Sequence, residues 1–170
     1  MVVPLAQRIA DQTAAAAQLY HRLVLLVGPP RSGKTAILRE IAESKSWPMI
    51  NLNLALAEVL LELTTQQRAL KLPRLLDTIA KDQDSEGLVF DNIELLFSPE
   101  LQQDPLKLLQ RLARNRTIIA TWAGTCEGEK LTYAVQPHPE FRRYLKPDAL
   151  IVSTLDGQEA VAQAGNKEPA

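Results

Sequence analysis

Eight consecutive residues, Gly28-Pro29-Pro30-Arg31-Ser32-Gly33-Lys34-Thr35, fit the pattern G-x-x-x-x-G-K-S/T at every fixed position. The apolar run that precedes them, Leu23–Val27, predicts a buried parallel strand. The residues that follow, Ala36–Ala42, have helical spacing, with their large apolar side chains on one face. A strand, a glycine-containing turn and a helix in this order are the structural context of a phosphate-binding loop.

The chemistry expected of this loop follows from its residue types. Gly28 and Gly33 allow the backbone to curl so that its N–H groups point inward and form a concave anion site. The helix that follows adds the positive end of its dipole. Lys34 can reach the β- and γ-phosphates of a nucleotide, and the hydroxyl of Thr35 can hold Mg²⁺. We therefore predict one run of cofactor-binding residues: Gly28, Pro29, Pro30, Arg31, Ser32, Gly33, Lys34, Thr35 and Ala36.

Composition and charge narrow the class of protein. A chain of 170 residues with 46% hydrophobic and 23% charged residues is typical of one globular domain with a sizeable core. We place a nucleotide-binding domain with a leading helix at residues 1–155 and a frayed polar tail at 156–170. The net charge of −1 excludes a global basic field for nucleic acid or anionic lipid, although it leaves a local basic patch open.

The numbers of cysteines and histidines and the lengths of the apolar runs exclude a disulfide, a Cys/His metal cluster and a membrane span. One cysteine, Cys126, cannot form an intramolecular disulfide, and it offers too few ligands, together with two histidines, for a Cys/His metal cluster. The first residues, Met1–Pro4, have no charged region or cleavage site typical of a signal peptide. The apolar runs are too short to cross a bilayer. We expect a cytoplasmic protein without membrane contact.

Strand-like and helix-like stretches alternate along the chain, and this alternation favours a parallel sheet covered by helices. We predict an α/β P-loop NTPase fold with a central, mostly parallel sheet of five strands. The predicted strands are Arg22–Val27, Met49–Leu54, Gly87–Asp91, Thr117–Trp122 and Ala149–Val152. The predicted helices are Leu5–Tyr20, one after the loop, Glu58–Leu63, Leu75–Lys81 and one that begins at Pro105 behind an Asp104 N-cap.

An acidic residue stands where a phosphate-binding loop needs a metal partner. The apolar strand Gly87–Asp91 delivers the carboxylate of Asp91 at its C-terminal end. Ligands bind at that edge of an open α/β sheet, and a carboxylate there can hold Mg²⁺. We therefore predict that Thr35 and Asp91 are the metal residues. A strand-end aspartate that only begins a turn is the alternative.

The layout resembles that of AAA+ ATPases, in which the strand-end aspartate is usually followed by a glutamate that acts as general base. Here the next residue is Asn92, whose amide can position a water molecule but cannot accept its proton. Glu94 lies two residues further on, and we expect it to point differently from a residue directly after the strand. The resemblance therefore implies hydrolysis that is slow or depends on a group from elsewhere.

The same resemblance implies roles for Thr121, Arg142 and Arg143. A polar residue at the end of the fourth strand, here Thr121, senses the γ-phosphate in AAA+ proteins, and simple β-propensity is the alternative. Arginine fingers of that class lie between the fourth and fifth strands, where this chain has Arg142 and Arg143. A solvated basic turn is the alternative there. The predicted catalytic residues are thus Lys34, Asp91, Asn92, Thr121, Arg142 and Arg143.

Several longer strings resemble BrxF, a family of small P-loop proteins of type 3 BREX (bacteriophage exclusion) systems. They are GPPRSGKT, INLNLALAEVLLELT, LVFDNIELLFSPEL, QDPLKLLQRLARNRTIIATWAGT, LTYA and HPEFRRY. The resemblance implies an ATP- and Mg²⁺-binding component of antiphage defence, with other BREX proteins as partners and an Asp-Asn pair as a family trait. About eighteen residues follow the fifth predicted strand, too few for the helical lid of the wider AAA+ class.

Three functions fit these features. We favour an oligomeric ATPase or ATP-dependent switch, in a ring if an arginine acts across a subunit interface. A small-molecule kinase is a second hypothesis, and it needs an acceptor pocket and a mobile, arginine-bearing lid. A nucleotide-ordered assembly or DNA-binding subunit is a third, and it gains weight if Arg114, Arg116, Arg142 and Arg143 form one exposed face.

Overall fold

Five parallel strands form the centre of the fold, in the order 49–51, 87–91, 117–127, 23–28 and 150–153 across the sheet. The computed structural model describes residues 4–134 and 137–155. The strands are β1 Leu23–Gly28, β2 Met49–Asn51, β3 Gly87–Asp91, β4 Thr117–Glu127, β5 Lys130–Tyr133, β6 Arg142–Leu145 and β7 Leu150–Ser153. The helices are α1 Leu5–Ala16, α2 Lys34–Lys45, α3 Leu52–Leu60, α4 Thr65–Lys81 and α5 Pro105–Leu112. Two short 3-10 helices, Glu94–Phe97 and Pro99–Leu101, follow β3.

The interior strand β1, which lies between β4 and β7, is buried along its whole length, which explains its unbroken apolar run. Its residues alternate between two cores because successive strand side chains point to opposite faces. Leu23, Leu25 and Val27 pack into the core that α3, α4 and α5 cover. Val24 and Leu26 pack into the core that α1 and α2 cover. The α/β fold with a five-stranded parallel sheet flanked by helices is thus confirmed.

The second strand is shorter than predicted. It ends at Asn51, and α3 begins at Leu52, so the predicted strand Met49–Leu54 is wrong over its second half. Asn51 terminates the strand because its side-chain oxygen accepts the backbone N–H of Leu54 at 3.1 Å and caps the helix. The helix expected at Glu58–Leu63 therefore starts six residues earlier and ends at Leu60.

Two helix boundaries also differ from the prediction. The leading helix ends at Ala16 instead of Tyr20. The helix α4 begins at Thr65, with a Thr64–Gln67 capping box, and continues through Pro73, although the sequence predicted a start only after that proline. Pro73 has no N–H for the carbonyl of Ala69, and the side-chain amide of Gln103 donates to that carbonyl at 2.7 Å instead.

The fourth strand extends beyond the parallel sheet. It runs to Glu127 and forms an antiparallel hairpin with β5, which in turn pairs with β6. Gly124 permits the close pairing of β4 with β5, because a Cβ at that position would overlap the backbone oxygen of Thr132. Aromatic packing fixes the hairpin to the fold: Tyr133 stacks on Phe97 at 3.5 Å between ring centroids. The predicted tail at 156–170 lies outside the described residues.

Candidate functional site

The phosphate-binding loop connects the end of β1 to the start of α2, at the carboxyl edge of the parallel sheet. Gly33 has a φ of +86°, a conformation that favours glycine, and it directly precedes the helix. Arg31 also has a positive φ, of +63°. No side chain caps the N-terminus of α2, so the backbone N–H groups of its first turn are available to an anion. The predicted strand–loop–helix unit is present as expected.

Lys34 lies almost buried beneath this loop, with 8% of its surface exposed. Its ammonium group donates to the carbonyl oxygens of Gly28 at 3.0 Å and Pro29 at 2.6 Å. It also donates to Oγ of Ser32 at 3.3 Å. Burial holds the pKa of Lys34 below its usual value, and the nearby carboxylates of Glu94 and Asp91 offset this lowering only in part. The loop therefore surrounds a cation that can reach a bound phosphate.

Thr35 and Asp91 meet at the same edge, although 56 positions separate them in the chain. The hydroxyl of Thr35 donates to Oδ2 of Asp91 at 2.8 Å, and Asp91 is 6% exposed. A hydroxyl and a carboxylate are the oxygen ligands that Mg²⁺ prefers, and both lie beside the loop that would hold the phosphates. The residues present therefore fit a nucleotide-bound Mg²⁺, and their role as metal residues stays a prediction.

Glu94, which we expected to point differently from a residue directly after the strand, lines the same cavity as Asp91 and Asn92, so that expectation is wrong. Asn92 has a φ of +52°, so the chain turns sharply after β3 and brings Glu94 back to the wall of the cavity that Lys34 lines. The carboxylate of Glu94 accepts a hydrogen bond from Nδ2 of Asn53 at 3.3 Å. The Oδ1 atom of Asn53 accepts the N–H of Leu95 at 2.8 Å. Asn53 thus orients Glu94, and spacing along the chain contained no signal for this contact.

A cavity of about 480 Å³ lies over the loop. Its walls bring together most of the predicted site residues and two that were not predicted: Pro30, Arg31, Ser32, Gly33, Lys34, Thr35, Ala36, Arg39, Asp91, Asn92, Glu94 and Thr121. Thr121 does not end the fourth strand as predicted, because β4 continues to Glu127. It is buried, in register with Leu26 of β1, and its position on the wall fits the proposed sensing role as well as ordinary strand packing. Gly28 and Pro29 lie beneath this cavity as acceptors of the Lys34 ammonium.

A second cavity, of about 590 Å³, adjoins the first between α2 and β2. The two cavities share Thr35, Arg39, Asp91 and Asn92. The remaining wall includes Glu43, Trp47, Met49 and Asn51. Arg39 lies one helical turn after Thr35 and lines both cavities. Its spacing of four residues from Thr35 could have indicated this position from the sequence.

The candidate finger arginines do not line the phosphate cavity. Arg142 and Arg143 belong to β6, in register with Tyr133 and Thr132 of β5. Arg114 and Arg116 precede β4, at the opposite end of that strand from the segment with which β5 pairs. The two pairs of arginines are therefore associated with opposite ends of β4, which does not favour the single basic face expected for nucleic-acid binding.

The match to a protein-family model agrees with the geometry of the site. The model of the family described as "ATPase family associated with various cellular activities (AAA)" matches residues 24–125. No curated protein matches the sequence. Among solved structures, the chain is similar to PCH-2 of C. elegans, with 16% sequence identity and a TM-score of 0.43. That match covers 88% of this chain and 40% of the PCH-2 chain. In the residues that the structure describes, no helix is both long and apolar enough to span a membrane.

Proposed function

This chain belongs to the AAA family of ATPases, and on that premise we propose that it binds Mg²⁺-ATP in the cavity above Gly28–Thr35 and hydrolyses it. The observation that carries the proposal is the meeting of Lys34, Thr35 and Asp91 at one edge of the sheet, with a 2.8 Å hydrogen bond between the two proposed metal ligands. Backbone N–H groups and one buried ammonium group would hold the phosphates.

Glu94 completes a hydrolytic site in this proposal. A water oxygen attacks the γ-phosphorus, and the carboxylate of Glu94 accepts the proton of that water. The bond from the γ-phosphorus to the β–γ bridging oxygen breaks, which releases ADP and inorganic phosphate. The amide of Asn92 positions the water, and Thr121 contacts the γ-phosphate. Glu94 thus supplies the proton acceptor that is missing directly after Asp91.

Assembly belongs to the same proposal. Members of this family often form oligomers, and Arg142 or Arg143 of one subunit would stabilise charge on the phosphoryl group held by its neighbour. Neither arginine lines the phosphate cavity of its own chain, which supports a contribution in trans. ATP-dependent assembly into a homo-oligomer, with a ring as one form, is the expected behaviour.

The binding experiment is calorimetric titration of the wild-type protein, Lys34→Ala and Lys71→Ala with Mg²⁺-ATP. Lys71 is exposed on α4 and serves as the matched control. We expect the wild type and Lys71→Ala to bind equally and Lys34→Ala to lose binding. Sizing of the same proteins with and without Mg²⁺-ATP tests assembly. Absence of any binding heat from the wild type would refute the proposal.

The biological setting is a proposal that rests on the resemblance to BrxF. The shared strings extend beyond the phosphate loop, to LVFDNIELLFSPEL at 88–101 and HPEFRRY at 138–144. The ATPase would then serve a type 3 BREX defence system, with other proteins of that system as partners. Plating of phage on hosts whose BREX system carries Lys34→Ala tests this role: restored plating is expected, and unchanged protection would contradict it.

A second candidate function is transfer of the γ-phosphoryl group to a small molecule, and the adjoining cavity of about 590 Å³ favours it. That cavity offers polar groups from Arg39, Glu43 and Asn51 beside the metal residues. Labelled γ-phosphate distinguishes the two functions in the presence of a mixture of cellular metabolites. Label found only in inorganic phosphate supports hydrolysis, whereas label on an organic product supports the kinase.

A further inference from the structure

Thr154 is a buried polar residue whose hydroxyl has no role in the site described above. It is 5% exposed, and among the residues that the structure describes its Oγ1 makes no hydrogen bond. Leaving a buried hydroxyl unpaired costs free energy, so such a group calls for a physical explanation. A valine side chain has nearly the same shape as that of threonine and would leave no buried hydroxyl unpaired.

The backbone places this hydroxyl at the start of the phosphate-binding loop. Thr154 follows β7, and its N–H donates to the carbonyl oxygen of Val27 at 2.8 Å, which fixes it beside the end of β1. A Cβ added to Gly28 would collide with Oγ1 of Thr154, and the same Cβ would lie 2.7 Å from Oγ of Ser32. The hydroxyls of Thr154 and Ser32 therefore flank the same point next to Gly28.

The acceptors at this point receive their hydrogen bonds from the ammonium group of Lys34. It donates to the carbonyl of Gly28 at 3.0 Å and to Oγ of Ser32 at 3.3 Å. A phosphate group attracts an ammonium group more strongly than a neutral carbonyl or hydroxyl does. When Lys34 turns to a bound phosphate, these acceptors lose their donor, and the unpaired hydroxyl of Thr154 is the neighbouring group that can replace it.

We propose that Thr154 is a positioning residue that donates a hydrogen bond to Oγ of Ser32 when the loop holds a nucleotide. The proposal rests on the nucleotide binding proposed above. As a consequence, the unpaired hydroxyl destabilises the loop without nucleotide, whereas the hydrogen bond to Ser32 stabilises the loop with nucleotide. The end of β7 thereby becomes coupled to occupancy of the site.

Replacement of Thr154 by Val tests this coupling, because the proposal predicts opposite effects on stability and on affinity. Without nucleotide, Thr154→Val should melt at the same temperature as the wild type or a few degrees higher, since it removes an unpaired buried group. The Kd for Mg²⁺-ATP and for Mg²⁺-ADP, measured by calorimetry, should rise about three- to ten-fold, the loss of one neutral hydrogen bond.

Thr13→Val is the matched control. Thr13 is also buried, on α1, but its hydroxyl donates to the carbonyl oxygen of Ile9 at 2.7 Å. This variant should melt at a lower temperature and bind nucleotide like the wild type, the reverse of the Thr154→Val pattern. If Val at 154 disturbs folding, the pair Thr154→Ser and Thr154→Ala replaces it, and the serine variant should bind the tighter of the two.

A double-mutant cycle identifies the acceptor. Thr154→Val should weaken binding less in a Ser32→Ala background than in the wild type. The proposal is overturned if the wild type binds nucleotide and Thr154→Val binds it equally well, or if the serine and alanine variants bind alike. Failure of the wild type to bind at all would instead refute the proposed function on which the inference depends.

Discussion

At the scale of single residues, the turn after β3 determines which carboxylate reaches the phosphate cavity. Asn92 adopts a left-handed conformation with a φ of +52°, which asparagine tolerates better than most residues. Its carbonyl oxygen accepts the N–H of Asn53 at 2.9 Å, so the turn is tied to the first turn of α3. The choice of Asn after Asp91 is thus explained by backbone geometry as well as by any contact with water.

Substitution of Asn92 separates its two roles. Asn92→Gly should leave the free energy of unfolding within about 0.5 kcal/mol of the wild type, whereas Asn92→Ala should lose about 1 kcal/mol, because alanine is strained at a positive φ. Urea denaturation measures both values. Asn92→Gly should still slow ATP turnover if the amide positions water, and equal stability of both variants would contradict the strain argument.

Substitution of Glu94 tests the proton acceptor. Glu94→Gln keeps the size of the side chain but removes the carboxylate, so turnover should fall at least about 100-fold while Mg²⁺-ATP binding persists. Phosphate release and calorimetric titration measure the two properties. Glu58→Gln on the exposed face of α3 is the control, and it should retain wild-type turnover. Equal turnover of the two variants would exclude Glu94 as the general base.

At the scale of secondary structure elements, α4 is continuous through a proline because another segment compensates for the missing N–H. Gln103, which precedes α5, donates its side-chain amide to the carbonyl of Ala69 at 2.7 Å. The backbone N–H of residue 73 would otherwise fill that position. The contact joins α4 to the segment that leads into α5, so one side chain both completes the helix and docks it.

This compensation predicts a specific double-mutant cycle. Gln103→Ala should lose about 1–2 kcal/mol of unfolding free energy in the wild-type background, because it leaves the carbonyl of Ala69 unpaired. In a Pro73→Ala background the loss should be smaller, since the new N–H at residue 73 can donate to that carbonyl. Denaturant unfolding of the four proteins gives the coupling energy. Equal losses in both backgrounds would show that the Gln103 contact does not replace the helical hydrogen bond.

At the scale of the whole molecule, the β4–β5 hairpin and the neighbouring strand β6 connect the candidate finger arginines to the segment that carries Glu94. Tyr133 of β5 stacks on Phe97, which ends the 3-10 helix that begins at Glu94. Tyr144 of β6 donates its hydroxyl to Oδ1 of Asp104 at 2.9 Å, and burial together with this bond raises the pKa of Tyr144. A subunit that contacts the hairpin would thus act on an element packed against the Glu94 segment.

Mixing of two inactive variants tests whether the site is shared between subunits. Lys34→Ala lacks the phosphate-binding cation, and a variant with Arg142→Ala and Arg143→Ala lacks the candidate fingers. We expect each protein alone to turn over little ATP and the mixture to regain part of the wild-type rate, because one chain then supplies the cavity and the other the arginine. Phosphate release across mixing ratios is the measurement. A mixture no faster than its components would place the arginines outside the reaction.

Local patterns determined the fold class, the phosphate-binding loop and its pairing with Asp91. The residues that define them lie within a few positions of one another, or at the end of a buried strand whose direction the pattern predicts. The apolar run Leu23–Val27 and the glycines at 28 and 33 required no knowledge of distant neighbours. The roles of Thr121, Arg142 and Arg143 stay predictions, since their positions alone do not test them.

Only the tertiary structure decided the contacts that join segments far apart in the chain. Glu94 is oriented in the site because Asn53, 41 positions earlier, donates a hydrogen bond to its carboxylate. α4 continued through Pro73 because Gln103, 34 positions from Ala69, pairs with the carbonyl that the proline leaves free. Spacing encodes which face of a strand or helix a residue occupies, but a hydrogen bond between side chains of different elements depends on how those elements pack. That packing is a property of the folded chain as a whole.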